Sequence, residues 1–204
     1  MVRPLISVIV PVYREKESLA SFAISSALNQ TLDRSMYEVI AVSNVGLPQL
    51  DGAKVILSTN RWLGPKMSEG VRVARGDIIA FLEYDDLFYP NKLEQLLYYF
   101  ASDEDLVFFW NGQTFISENG REIPPKHPKK TLRKRVIDLS NVKKGDRETY
   151  RMIRMASWNA SSMAIRREVI AKYDSMLREV KISGDSSLIV AAALREGHML
   201  IDEE

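Results

Sequence analysis

The chain has 204 residues, 46% of them hydrophobic, and 28 lysines and arginines against 27 acids, a formal net charge of +1. That length and composition allow one sizeable α/β domain and exclude general disorder, and the charge balance argues against a broad basic face for nucleic acid. The absence of cysteine excludes disulfides, thiolate catalysis and Cys-type zinc sites, and the two histidines, His127 and His198, lie too far apart in sequence to suggest a His-rich metal site.

In chain order, residues 5–12 are apolar and β-branched and predict a buried strand. The N-terminal residues 1–12 are interrupted by Pro4 and Pro11 and lack a small-residue cleavage site, so they are a first core strand rather than a signal peptide. Ser18 offers an N-cap for a helix to about residue 29. A second buried strand is predicted over 37–42, ending in the polar turn Ser43-Asn44-Val45-Gly46, and a short third over 55–57. A helix follows over 65–74, with Pro65 in its first turn and Gly76 as its stop. Residues 78–82 form a short apolar run bounded by Gly76-Asp77 and Pro90, and a helix opens at Pro90 and runs to 100. Strands alternating with helices predict an α/β fold with a mostly parallel sheet covered on both faces.

The pattern changes after residue 105. Strands are predicted over 106–110 and 113–116, joined by Asn111-Gly112. Next comes the basic stretch from Pro124 to Lys130, continued by Arg133-Lys134-Arg135. It reads either as a solvated loop or as a cationic lid near phosphates or anionic lipid. Helices are expected over 148–155, 167–173 and 186–196, the last closed by Gly197, with a strand over 158–165. The run from Leu200 looks like the start of a further strand, which suggests a piece of a longer protein. Two halves are expected, 1–105 and 106–204, forming one continuous domain. No segment approaches the ~18 apolar residues of a membrane helix.

The strongest chemical signal is Glu83-Tyr84-Asp85-Asp86, three carboxylates in four residues directly after the buried strand at 78–82. Open α/β sheets bind ligands at the carboxyl ends of central strands. Carboxylates crowded there repel each other, and a hard divalent cation bridging to substrate phosphates relieves that repulsion. A solvated acidic turn is the alternative; the core character of the preceding strand favours the cation.

Taken in order, Ser7-Val8-Ile9-Val10-Pro11-Val12-Tyr13, Phe81-Leu82-Glu83-Tyr84-Asp85-Asp86 and Pro90-Asn91-Lys92-Leu93-Glu94 resemble the family-2 glycosyltransferases, over nearly the whole chain. The resemblance implies the GT-A fold, with residues 1–105 as the donor half and 106–204 as the acceptor side. It implies a metal-dependent, inverting, hexosyl-type transfer from a UDP- or GDP-sugar to a glycan or lipid-linked acceptor. It further implies Mg²⁺ or Mn²⁺ held by Asp85 with Asp86 in support, and a nucleoside against Tyr13 and Glu15, with Pro11, Glu83 and Tyr84 completing the donor site. Glu83 stands where the family has Asp.

Ser43 and Asn44 stand where the family's second strand ends in a base-binding Asp, so the choice between UDP and GDP stays open. Met67 and Ser68 replace an Arg-Asn pair. Lys66 beside them is the candidate to meet phosphate, a surface lysine being the plainer alternative. Asp185 falls on the family's catalytic base, with Gly184 in place of the preceding Glu, although an Asp here is also an ordinary N-cap. Trp158 falls on the acceptor side, where it could stack on a sugar face or serve as a structural Trp. The implied location is cytoplasmic or at the cytoplasmic face of a membrane, any membrane segment lying outside this chain. The rivals are a nucleotide-sugar binding protein without turnover and a nucleotidyltransferase; the latter needs a Gly-rich loop that residues 12–17 lack.

Overall fold

The computed structural model describes residues 3–13, 17–47, 51–124, 134–142, 146–181 and 184–203. The elements in chain order are β1 (Ile6–Val12), α1 (Glu17–Leu28), β2 (Tyr37–Ser43), β3 (Ala53–Leu57), α2 (Leu63–Val73), β4 (Ile78–Phe81), α3 (Lys92–Ser102) and β5 (Leu106–Asn111). They continue with β6 (Phe115–Ile116), β7 (Glu122–Ile123), β8 (Lys134–Asp138), α4 (Arg147–Met155), β9 (Met163–Arg166), α5 (Arg167–Lys172), α6 (Asp174–Glu179), α7 (Gly184–Ala193) and β10 (His198–Asp202).

Eight strands form one sheet in the order β3-β2-β1-β4-β9-β5-β10-β8. β1 pairs in parallel with β2 and β4, β2 with β3, and β5 with β10. β9 runs antiparallel between β4 and β5, and β8 closes the far edge antiparallel to β10. The mostly parallel, doubly covered sheet expected from the sequence is borne out.

Alternation along the strands divides the core into two layers. Ile9, Ile40, Val42, Ile79 and Phe81 pack with residues of α2 and α4–α7 on one face, among them Met67, Val71, Ile170 and Leu188. Val8, Val10, Val12, Ala41, Ala80 and Leu82 pack with α1 and α3 on the other, against Ala23, Ile24, Leu93 and Leu96. α2 lies so close to β1 that a Cβ on Gly70 would stand 2.5 Å from Ile9 Cγ2, which fixes glycine at that helix position.

The register shapes the ligand edge. Val12 lies opposite Ser43 and Ser43 opposite Leu57, so β1, β2 and β3 end level. β4 stops at Phe81, opposite Ile9, and β1 therefore extends beyond it. The acidic segment begins in the step this creates, tied in by Leu82 N–H donating to Ile9 O at 3.0 Å.

Four local expectations need correction. Ser18 is not an N-cap, because α1 already begins at Glu17. Pro90 does not open α3; Asn91 is its N-cap and Lys92 its first residue. The strand expected over 113–116 is only Phe115–Ile116, and β6 pairs with β7 in a separate ribbon, because β10 occupies the edge of β5 and Gly112 N–H donates to Asp202 O at 2.7 Å. The strand expected over 158–165 begins only at Met163, since the preceding residues form a turn held by side-chain to backbone hydrogen bonds. Lys134 and Arg135 open β8, whereas residues 125–133 of the basic stretch lie outside the described residues.

Candidate active site

Leu82 is buried, and the chain then leaves the sheet at the step above β4. Glu83 is mostly buried, Asp86 partly exposed and Asp85 exposed. Burial is the main cause that pushes the Glu83 carboxyl up to about 7, with the charges of Asp86, Asp85 and Asp185 adding to it. Asp185 therefore belongs to the same field as the acidic segment, although it lies a hundred residues away in sequence. It sits in the first turn of α7, where its Oδ1 accepts from Ser186 N–H at 2.9 Å.

The turn before β9 joins the two sides. Asn159 N–H donates to Asp185 Oδ2 at 3.2 Å, and Asn159 Nδ2 donates to Asp86 Oδ2 at 3.0 Å. Ser161 Oγ donates to the same Asp86 oxygen at 2.6 Å and accepts from Glu83 N–H at 2.9 Å. Asn159 has φ 61°, the one non-glycine residue with positive φ among those described. Asn tolerates that region better than most residues, but an unusual backbone of this kind costs on the order of 1–3 kcal/mol and persists where surrounding bonds over-determine it. The sequence reading did not single out Asn159 or Ser161. The available signal was the polar run Asn159-Ala160-Ser161-Ser162 interrupting an otherwise strand-like segment.

Beside the acidic segment, Tyr13 follows the end of β1 and meets Tyr84 edge to face, with ring centroids 5.6 Å apart. The Tyr13 hydroxyl is pushed up to about 12, chiefly by burial, with Glu83 and Tyr84 contributing. Lys66 is not a surface lysine. It is 0% exposed, and its Nζ donates to Val12 O and to Asn44 Oδ1, the latter at 2.9 Å, while lying 4.1 Å from the centroid of the Tyr13 ring. An ammonium can only donate, so Asn44 must present its oxygen to Lys66. The lysine braces the ends of β1 and β2 and supports the Tyr13 ring from within. Ser43 is likewise buried, its Oγ accepting from Val45 N–H at 3.2 Å, and Pro11 is buried inside β1. Tyr13, Asn44, Glu83 and Tyr84 keep partial exposure at this edge. Glu15 lies outside the described residues.

Trp158 is 57% exposed, so it is no core residue; its ring lies 6.5 Å from that of Phe115, and its carbonyl accepts from Trp110 Nε1 at 3.2 Å. It flanks Asn159 and therefore Asp185.

Lys92 is a second buried lysine near this edge. It is 6% exposed, donates to Asn111 Oδ1, and stands 5.6 and 5.1 Å from the ring centroids of Phe88 and Phe109. Burial pushes its ammonium down to about 7, against the opposing pull of Asp202. An unfolded lysine stays protonated to about 10.4. Between about pH 7 and that value the unfolded chain holds a proton that the folded chain lacks, so stability rises with pH across the window and is lowest below it. Urea unfolding from pH 7 upward should show this rise, and Lys92→Met should flatten it. An equal slope in the variant would place the titration on another group.

The opposite edge of the sheet carries a different cluster. Asp103, Asp105 and His198 bring ligand-type atoms within 4.8 Å of one another, and His198 Nδ1 lies 2.7 Å from Asp103 Oδ2. Recesses of about 370 and 760 Å³ open there, both lined by Asp105, Arg195 and Glu196. This is where β5 and β10 begin, the length of a strand away from Glu83. The cluster is compatible with a cation but belongs to neither the acidic segment nor Asp185.

Residues 7–173 match the sequence profile of glycosyl transferase family 2. The chain belongs to this family. An uncharacterized glycosyltransferase of Methanocaldococcus jannaschii is 30% identical over 142 residues, covering 64% of this chain and 49% of the relative. Among solved structures, Staphylococcus aureus TarS (residues 1–349) superposes with a TM-score of 0.68 at 18% identity, covering 96% of this chain and 57% of that fragment, which has also been solved with UDP and with UDP-GlcNAc. The mannosyltransferase PcManGT of Pyrobaculum calidifontis, solved with GDP-Man and Mn²⁺, superposes with a TM-score of 0.63 at 16% identity, covering 99% of this chain and 57% of that protein. These likenesses establish the GT-A fold. This family-2 chain spans about half or less of the length of the first curated relatives it matches. Among its described residues no helix is long and apolar enough to cross a membrane.

Proposed function

We propose that this chain is the catalytic part of a metal-dependent, inverting glycosyltransferase that takes a sugar from a nucleotide-diphospho-sugar. The observation that carries this reading is the convergence of Asp185, from the far half of the sequence, on the Glu83-Tyr84-Asp85-Asp86 segment at the carboxyl end of β4. Donor binding is assigned to residues 1–105 and the acceptor side to 106–204.

The donor set suits Mg²⁺ or Mn²⁺: its oxygens are hard carboxylates, Asp85 is exposed, and mutual repulsion with Glu83 favours a bound cation. Asp85 would hold it with Asp86 beside it, and such an ion when bound neutralises charge on a departing diphosphate. The relatives' complexes with UDP-GlcNAc and with GDP-Man and Mn²⁺ support this choice of ligand class. Tyr13, carried on the Lys66 brace, offers a rigid face to the nucleoside, and Tyr84 walls its edge. Asp185 takes the proton of the acceptor hydroxyl as the acceptor oxygen bonds to the anomeric carbon and the bond to the diphosphate breaks on the opposite face. Trp158 supplies an exposed ring beside that base for a sugar acceptor.

A thermal-shift panel of UDP- and GDP-sugars with and without Mn²⁺ tests the reading, because a ligand that binds the folded state raises its stability. Stabilisation is expected from one nucleotide class and only with the cation. Equal melting temperatures across the whole panel would refute it.

A further inference from the structure

The proposed chemistry needs a donor carboxylate and a base held at a fixed separation, and one residue bonds to both. Asn159 reaches Asp185 through its backbone N–H and Asp86 through its side-chain amide, while its Oδ1 accepts from Ser161 N–H at 2.8 Å and its carbonyl from Ser162 N–H at 3.2 Å. Those last two bonds lock the turn in its positive-φ form, which is what aims the backbone N–H and the amide at different carboxylates. The two donors to Asp86 both fall on Oδ2, so one oxygen is fixed and Oδ1 has no bond among the described residues. Asp86 and Asp185 carry the same charge, and N–H groups placed between them offset their repulsion.

We propose that Asn159 is a positioning residue that sets the spacing between the cation-binding carboxylate Asp86 and the base Asp185. The proposal rests on the functional reading above. Asn159 touches neither donor nor acceptor in this scheme; it acts through the two carboxylates. Partners of this kind typically change metal affinity by 10- to 100-fold.

The test titrates Mn²⁺ calorimetrically into the chain with saturating UDP, and again with GDP. Asn159→Gly suits the purpose because glycine adopts the same φ without strain and the Ser162 N–H bond to the residue-159 carbonyl still holds the turn, so the fold and the backbone N–H to Asp185 survive while the side-chain bonds to Asp86 and Ser161 N–H are lost. Far-UV circular dichroism like the parent's, with Mn²⁺ affinity lowered roughly 10- to 100-fold, is the expected result. Ser161→Ala, which removes the other donor to Asp86 and leaves Asn159 in place, should shift affinity in the same direction. At Mn²⁺ concentrations that saturate the glycine variant, kcat for donor turnover should stay below the parent's, because the spacing to Asp185 is still wrong. Unchanged Mn²⁺ affinity in both variants, or a kcat restored in full by saturating Mn²⁺, overturns the positioning role and leaves the functional reading standing. A parent chain that binds no Mn²⁺ with either nucleotide overturns both.

Discussion

Asp185→Asn should cut sugar transfer by roughly 10²- to 10⁴-fold, the usual contribution of a positioned general base, while nucleotide binding with Mn²⁺ persists. The substitution is close to isosteric, and the new amide oxygen can still accept from Asn159 N–H, so the turn before β9 keeps its partner. What is lost is the anionic proton acceptor. The change also removes one of the charges that push the Glu83 carboxyl up, so donor-side binding is not expected to suffer from the loss. Initial rates with the donor identified by thermal shift, beside a calorimetric titration of the matching nucleotide, separate the two effects. Transfer at the parent rate would assign the base elsewhere. A parent chain that binds donor but neither hydrolyses nor transfers it across an acceptor panel would instead be a nucleotide-sugar binding protein.

The first half of the chain was legible because its signals are local. Short apolar runs bounded by Gly, Pro and polar turns set β1, β2 and β4, and burial on both sheet faces demands such continuous runs rather than alternation. Glu83-Tyr84-Asp85-Asp86 stood out for the same reason, as three carboxylates directly after a core strand. Lys66 misled because sequence carries no sign of depth. A lysine in an amphipathic helix is ordinarily a surface residue, and only the tertiary placement of Val12 O and Asn44 Oδ1 makes burial of its ammonium tolerable. The second half was harder. β9 runs antiparallel between β4 and β5, a pairing across long sequence separation that no local pattern announces. The strand-like composition of 158–165 hid the Asn159 turn, whose form depends on bonds to Asp86 and Asp185 from elsewhere in the chain. Asp185 itself was singled out only through the family resemblance, because an Asp in the first turn of a helix has an ordinary structural explanation.

Asp85→Ala gives the second large effect, and its value lies in leaving the fold alone. Asp85 is exposed, so truncating it opens no cavity in the core. It also removes one of the like charges acting on Glu83, so the ligand-free variant should melt at or slightly above the parent. In the parent, a nucleotide with Mn²⁺ present at 100 times its dissociation constant adds about 2.7 kcal/mol of stability. For a chain of this size that corresponds to a rise in melting temperature of roughly 5–10 °C. In Asp85→Ala that rise should disappear at the same concentrations, and metal-dependent turnover with it. Glu83→Gln makes the contrast. It removes the mostly buried carboxylate and its repulsion but leaves Asp85 and Asp86, so cation-dependent stabilisation should survive in weakened form. If the two variants exchange roles, with Glu83→Gln abolishing the shift and Asp85→Ala retaining it, the principal cation ligand is the buried glutamate. The donor diphosphate would then sit deeper in the step above β4 than the exposed position of Asp85 implies.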